Sequence, residues 1–243
     1  MVEQTRVNRL ADLKRFYDLL DSLSEKLGGM QTLATMRDHR DWPTRGVYFF
    51  FDPTEPRRDS GHGPRVVRVG THAISAGSKS TLRQRLAQHL GNSSGGGNHR
   101  GSIFRLLVGQ ALLATHALPP CPSWGVKADK RQATKSLGIE RHTLDVNEAP
   151  VEMAVSRYLW SLPVICLAVE DAPSATSQRQ IIEHEAIALL SNHARPPIDP
   201  ATEDWLGHHS FRPMVRESGL WNQRSTRDAH NPSFLDAMEQ LML

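Results

Sequence analysis

Arg45-Gly-Val-Tyr-Phe-Phe-Phe51 is a run of aromatic and β-branched residues that halts at Asp52-Pro53. A run of that composition, bounded by turn residues, predicts a strand. Trp42-Pro43 precedes it, and a polar loop rich in Pro, Arg and Gly leads from it to a second run, Arg65-Val-Val-Arg-Val69, closed by Gly70. Two strands with a turn-rich connection predict an antiparallel pair. Ser80 or Thr81 then caps a helix reaching about Leu90, with Leu82, Leu86 and Leu90 as its apolar stripe.

Further from this centre, residues 5–27 predict an amphipathic helix, because Leu10, Leu13, Tyr17, Leu20, Leu23 and Leu27 recur at three- and four-residue steps before Gly28-Gly29. Such a helix packs on its own domain or meets a second subunit. Gly91-Asn-Ser-Ser-Gly-Gly-Gly97 is flexible by composition. Ile103 to Ala117 predicts a helix, residues 119–147 an irregular basic excursion, and Val151 to Trp160 a further helix. Pro163 to Val169 follows as a strand. Ser177 to Ser191 is the last clear helix, burying Ile182, Ala186, Leu189 and Leu190. From Pro196 the chain is rich in Pro, His and Trp. The expected fold class is α+β: a small three-stranded, mainly antiparallel sheet flanked by helices. The expected parts are an N-terminal helical arm (1–43), a core (44–195) with a helical and irregular insertion at about 91–162, and an irregular or helical extension (196–243).

With 243 residues, 39% of them hydrophobic and 23% charged, the chain can bury a real core. Its longest apolar run, Val164-Ile-Cys-Leu-Ala-Val169, is far short of the roughly 20 residues of a spanning helix. Residues 3–18 carry charge throughout and hold no secretory h-region. Two cysteines, Cys121 and Cys166, make no disulfide framework. A soluble, cytoplasmic protein is expected, with no membrane partner. Net charge is +3, but between Arg65 and Lys135 eleven basic residues face one acid, Asp129, while the rest of the chain is net acidic. Of the 29 basic residues 23 are arginine, whose planar fork matches phosphate oxygens. A basic segment in an otherwise acidic chain is either a polyanion surface or a solvated face.

Gly46-Val-Tyr48 on the first strand and Arg68-Val-Gly70 ending the second resemble the two halves of the GIY-YIG nuclease motif. Arg85 and His89, four residues apart, stack on one face of the next helix. Glu183 lies on the later helix. GIY-YIG enzymes place Tyr, Arg, His and Glu in that order on those elements, so the resemblance covers about 46–192. Residues 98–105 (Asn-His-Arg-Gly-Ser-Ile-Phe-Arg) and Ser218-Gly-Leu-Trp-Asn222 also resemble features of bacterial members close to restriction enzymes.

The resemblance implies a metal-dependent endonuclease that hydrolyses DNA phosphodiesters. Tyr48 would orient or deprotonate the water, and a phenol, ordinarily near pKa ~10, needs a nearby cation for that. Arg85 would supply the cation or fork onto the scissile phosphate, and His89 would relay the proton or hold Tyr48. Glu183 would be the sole protein ligand of one Mg²⁺ (or Mn²⁺), completed by water and phosphate. Glu185, two residues on, competes for that role; Glu183 fits the family pattern better. Arg68 stands where the motif has its second tyrosine. Either that role is dispensable, or His72 or Lys79 takes it over, or the protein binds nucleic acid without cutting. Arg68, His72, Lys79, Arg83, Arg100 and Asn192 are the candidate nucleic-acid contacts, Arg100 through the glycine-rich loop before it and Asn192 as either a site residue or a helix C-cap. One such site cuts one strand, so a double-strand break would take a homodimer or two visits. The phosphate-binding pattern G-x-x-x-x-G-K-[ST] is absent.

Overall fold

A computed structural model describes residues 2–35 and 42–243; residues 36–41, at the end of the expected N-terminal arm, lie outside it. The aromatic run becomes β2 (Gly46–Pro56), an inner strand with a partner on each side. With β1 (Gln31–Thr32), β3 (Pro64–Gly70) and β4 (Pro163–Ala168) it forms an antiparallel sheet in the order β1-β4-β2-β3. The sheet thus has four strands among the described residues, where three were expected. The addition, β1, is two residues of edge pairing against β4, too short to leave a period-2 pattern.

β2 reads as continuous apolar sequence because both of its faces are covered. Val47, Phe49 and Phe51 point into a core shared with α1 (Val2–Lys26), α6 (Gln178–Leu190) and α8 (Ser233–Leu241). Tyr48 and Phe50 point the other way, into a core shared with α2 (Leu82–Leu90), α3 (Ile103–Ala114) and α5 (Arg141–Ser161). The apolar stripe of α1 is therefore covered by its own chain. Phe16 packs edge-on against Phe49 at 5.7 Å and tilted against Phe234 of α8 at 6.2 Å.

Pairing of β2 with β3 shifts between Phe50 and Phe51, which lie opposite Arg68 and Val66. The skipped residue makes a β-bulge, so Val66 and Val69 both face the α1 side while Val67 joins the α2 side. α2 starts as expected: Thr81 Oγ1 accepts from Gln84 N at 3.2 Å, and Gln84 Oε1 accepts from Thr81 N at 2.9 Å. That capping box stabilises the helix start by about 1 kcal/mol.

The insertion departs from its sequence reading. The stretch expected to be irregular, 119–147, contains α4 (Lys130–Leu137), capped by Asp129 and ended by Gly138 in a left-handed conformation. Only Ala133 of that helix is buried, so no apolar stripe announced it. α5 begins ten residues before Val151, with Pro150 inside it. Proline removes one N–H from the helix ladder, yet the packing of Leu144, Val151, Val155 and Leu159 carries the helix across it. The glycine-rich loop is a hydrogen-bonded turn: Asn92 Oδ1 accepts from Gly96 N and Ser94 Oγ, both at 2.8 Å.

The C-terminal segment, with α7 (Pro213–Ser218) and α8, packs into both cores through Trp205, Leu220, Trp221, Phe234, Leu235 and Met238. It also covers the open edge of β3. Trp221 N donates to Val67 O at 2.7 Å, and the Asn222 carboxamide both donates to Val69 O (2.9 Å) and accepts from Val69 N (3.1 Å). No helix among the described residues is long and apolar enough to cross a membrane.

Candidate active site

At the exit of β3 the sheet opens into a groove of about 960 Å³. Its walls are the 71–74 loop, the outer face of α2, one side of α6, Ile103 and residues 222–225. Arg68, Arg85, Arg224, His72 and His184 line it, and Glu183 is the one carboxylate that does so among the described residues.

Glu183 is placed by the motif itself. Thr71, the residue after Gly70, donates its N–H to Glu183 Oε1 at 3.2 Å, while its hydroxyl donates to Gly46 O at 2.9 Å. Both motif glycines are thereby tied to the carboxylate. Glu183 Oε2 has no hydrogen bond from the described residues. Burial pushes the Glu183 carboxyl up, and Arg68, the Thr71 N–H, Arg85 and Arg224 oppose that by favouring its ionised form. Glu185 is turned elsewhere: its oxygens meet His184 Nδ1 (3.1 Å) and Asn231 N (2.6 Å).

Tyr48 and His89 meet beneath the groove rather than in its wall. Tyr48 Oη lies 2.9 Å from His89 Nε2, and His89 Nδ1 lies 2.7 Å from Ser102 Oγ. Tyr48 and His89 are each 0% exposed. The phenol ring crosses Gly70, its Cα partner on β3, so closely that a Cβ there would sit 2.2 Å from Oη. Glycine is required at 70 for that reason. Burial drives the His89 imidazole well below its usual range, helped by Arg85, Arg68 and Arg105, so the ring is neutral. The chain of hydrogen bonds then runs in either sense, from Tyr48 O–H toward Ser102 or from Ser102 O–H toward Tyr48.

Arg68 borders the groove at 7% exposure, its Nη1 donating to Trp221 O and its guanidinium 5.5 Å from the Phe104 ring. Arg85 is partly exposed and touches Gln88 Oε1 at 2.9 Å. His72 lies in the groove wall, where burial and the neighbouring Arg179 push its imidazole down to about 4. Arg179 also fixes that loop to α6, donating from Nη1 to His72 O at 2.7 Å.

The remaining candidates do not line the groove. Lys79 and Arg83 are exposed beside it. Arg100 is consumed by the fold: its side chain is 2% exposed and pairs in both arms with Glu148 at 2.7 and 2.8 Å. Asn192 acts as a clasp, its Oδ1 accepting from Arg9 Nη2 (2.9 Å) and Ile198 N (3.0 Å). Three groups escaped sequence reasoning. Ser102 left a signal, as a serine N-cap ahead of the apolar Ile103 helix. Thr71 and Arg224 left none, since only packing brings residue 224 to β3.

A family model described as the GIY-YIG domain matches residues 7–243. The chain belongs to the GIY-YIG nuclease superfamily. Neither curated proteins nor solved structures gave a match. The GIY-YIG match extends through α8, consistent with C-terminal residues that both cover β3 and line the groove.

Proposed function

We propose that this GIY-YIG protein is a metal-dependent endonuclease that hydrolyses phosphodiester bonds in double-stranded DNA. The observation that carries the reading is the groove: one carboxylate, Glu183, set among Arg68, Arg85 and Arg224 at the end of the motif strands. A single anion within a cationic trough suits a divalent ion plus the phosphate it accompanies.

The residues fit such an ion. Glu183 Oε1 is held by Thr71 N–H while Oε2 is unengaged, and no group of three or more His, Cys, Asp or Glu side chains forms a closed cage among the described residues. One carboxylate with water and phosphate oxygens is a common Mg²⁺ arrangement, and Mn²⁺ accepts the same donors. When bound, the cation supplies charge stabilisation at the leaving oxygen.

The chain's own residues supply the rest. Arg85 meets charge on the phosphoryl oxygens. A water oxygen attacks phosphorus as the bond to the leaving sugar oxygen breaks. Tyr48, its hydroxyl hydrogen-bonded to His89 Nε2, orients that water; the water's proton leaves to solvent, and the leaving oxygen is protonated from solvent. Because Tyr48 is buried, this role requires one water to reach it at the Gly70 edge. A second reading, a nucleic-acid-binding protein that does not cut, is favoured by Arg68 at the tyrosine position.

The test is nicking of supercoiled plasmid with Mg²⁺ beside EDTA and Glu183→Ala controls. Cleavage lost in both controls is expected, and discrete linear fragments would add sequence specificity of the restriction type. A gel shift with no cut would overturn the nuclease reading in favour of the second one.

A further inference from the structure

Three buried arginines of this chain can be compared edge by edge. Arg65 directs Nε and Nη2 together at Glu55 Oε2, at 3.0 and 2.9 Å. Arg105 directs the same two nitrogens at Glu152 Oε2, at 2.9 and 2.6 Å. In both, this edge of the guanidinium holds a carboxylate. In Arg68 it holds nothing: Nη1 is bound to Trp221 O, Nε is buried with no partner, and Nη2 makes no hydrogen bond among the described residues. A buried donor without a partner costs free energy that an incoming acceptor recovers. Arg68 differs from the other two in bordering the groove.

We propose that the Nε/Nη2 edge of Arg68 is a preformed two-point site for the non-bridging oxygens of one DNA phosphate, with the Trp221 carbonyl as its positioning group. This deepens, and rests on, the nuclease reading of the same groove. A tyrosine at this position could offer one neutral hydroxyl; the guanidinium offers two parallel donors and a permanent charge. The C-terminal segment is then part of the site. Trp221 N pairs with Val67 O at 2.7 Å and its carbonyl fixes Nη1, so the segment that closes the β3 edge also aims the arginine.

The experiment follows the Arg68 Nε–H resonance in full-length protein by ¹⁵N NMR, in EDTA, while inorganic phosphate or a short DNA duplex is added. Arg68→Lys, which keeps the charge and loses the fork, is compared for duplex affinity at several salt concentrations. A shifted Nε–H with both additions, and binding weakened roughly tenfold in Arg68→Lys with the salt slope kept because the charge is kept, are expected. A response to inorganic phosphate alone would overturn the DNA contact. An unmoved Nε–H resonance, or unaltered affinity in Arg68→Lys, would overturn the two-point site even if the protein cuts DNA. Because the titration uses wild-type protein, it decides the matter should the variant fold poorly. A protein that never cuts yet gives both expected responses sinks the nuclease reading and keeps the site.

Discussion

Arg68 and Arg105 come from the same basic stretch of sequence and are both buried, yet they belong to opposite kinds of region. In the insertion, Arg105 donates to Glu152, to the backbone of His89 and Glu152, and to Ser156 Oγ, while Glu152 also binds His99 at 3.0 Å. Arg100 and Glu148 repeat the pattern nearby. Charge there is neutralised inside the protein and holds α3 to α5. In the groove, Arg68, Arg85 and Arg224 share one carboxylate among them, leaving positive charge without an internal partner. Counting basic residues along the chain cannot separate these regions. Accounting for hydrogen bonds does, because a fully paired guanidinium has nothing left for a ligand.

The comparison breaks if groove residues prove structural or the insertion network proves chemical. The largest effect is expected at Glu183. Glu183→Gln should lower cleavage by about 10³-fold, as loss of a principal transition-state electrostatic contact does. Because burial raises this carboxyl, its charge is a burden to the folded state near neutral pH, so the Tm should hold or rise. A large fall in Tm would move Glu183 to the structural class. The reverse pattern is expected for Arg105→Ala. It strands the buried Glu152, which should cost about 3–5 kcal/mol and several degrees of Tm, measured by calorimetry. A variant with unchanged Tm but no cleavage would contradict the division.

Tyr48→Phe should lower the rate by about 10²-fold or more with little change in Tm, since the ring packing stays and one hydrogen bond goes. A near-normal rate would leave Tyr48 as packing alone. The smallest effect sharpens the electrostatic side. His89 and His72 both titrate below their usual range, His72 at about 4, whereas unfolded histidine titrates near ~6.5. Between those limits the unfolded chain binds more protons. Their contribution to stability is therefore complete above about pH 6.5 and lost as pH falls toward the folded values. A Tm that does not decline from pH 7.5 to 5 in wild type, or declines equally in His89→Gln, would contradict the neutral, buried His89.

Local sequence determined the pieces: an apolar run for β2, Val-rich β3 ended by Gly70, the Thr81 capping box, the Ser177 cap of α6, and an order of Tyr48, Arg85, His89 and Glu183 that resembles the GIY-YIG pattern. These are short-range signals, set by side-chain volume, backbone freedom and hydrogen bonds across a few residues. Tertiary structure decided which charged groups remain available. It sealed Tyr48 and His89 under the groove, turned Glu183 inward and Glu185 away, and enclosed Arg100 against Glu148. It also brought Trp221 and Arg224 to β3 from about 150 residues further along the chain. Those outcomes rest on partners distant in sequence, and the availability of a charge is a property of its partners, which no local pattern records.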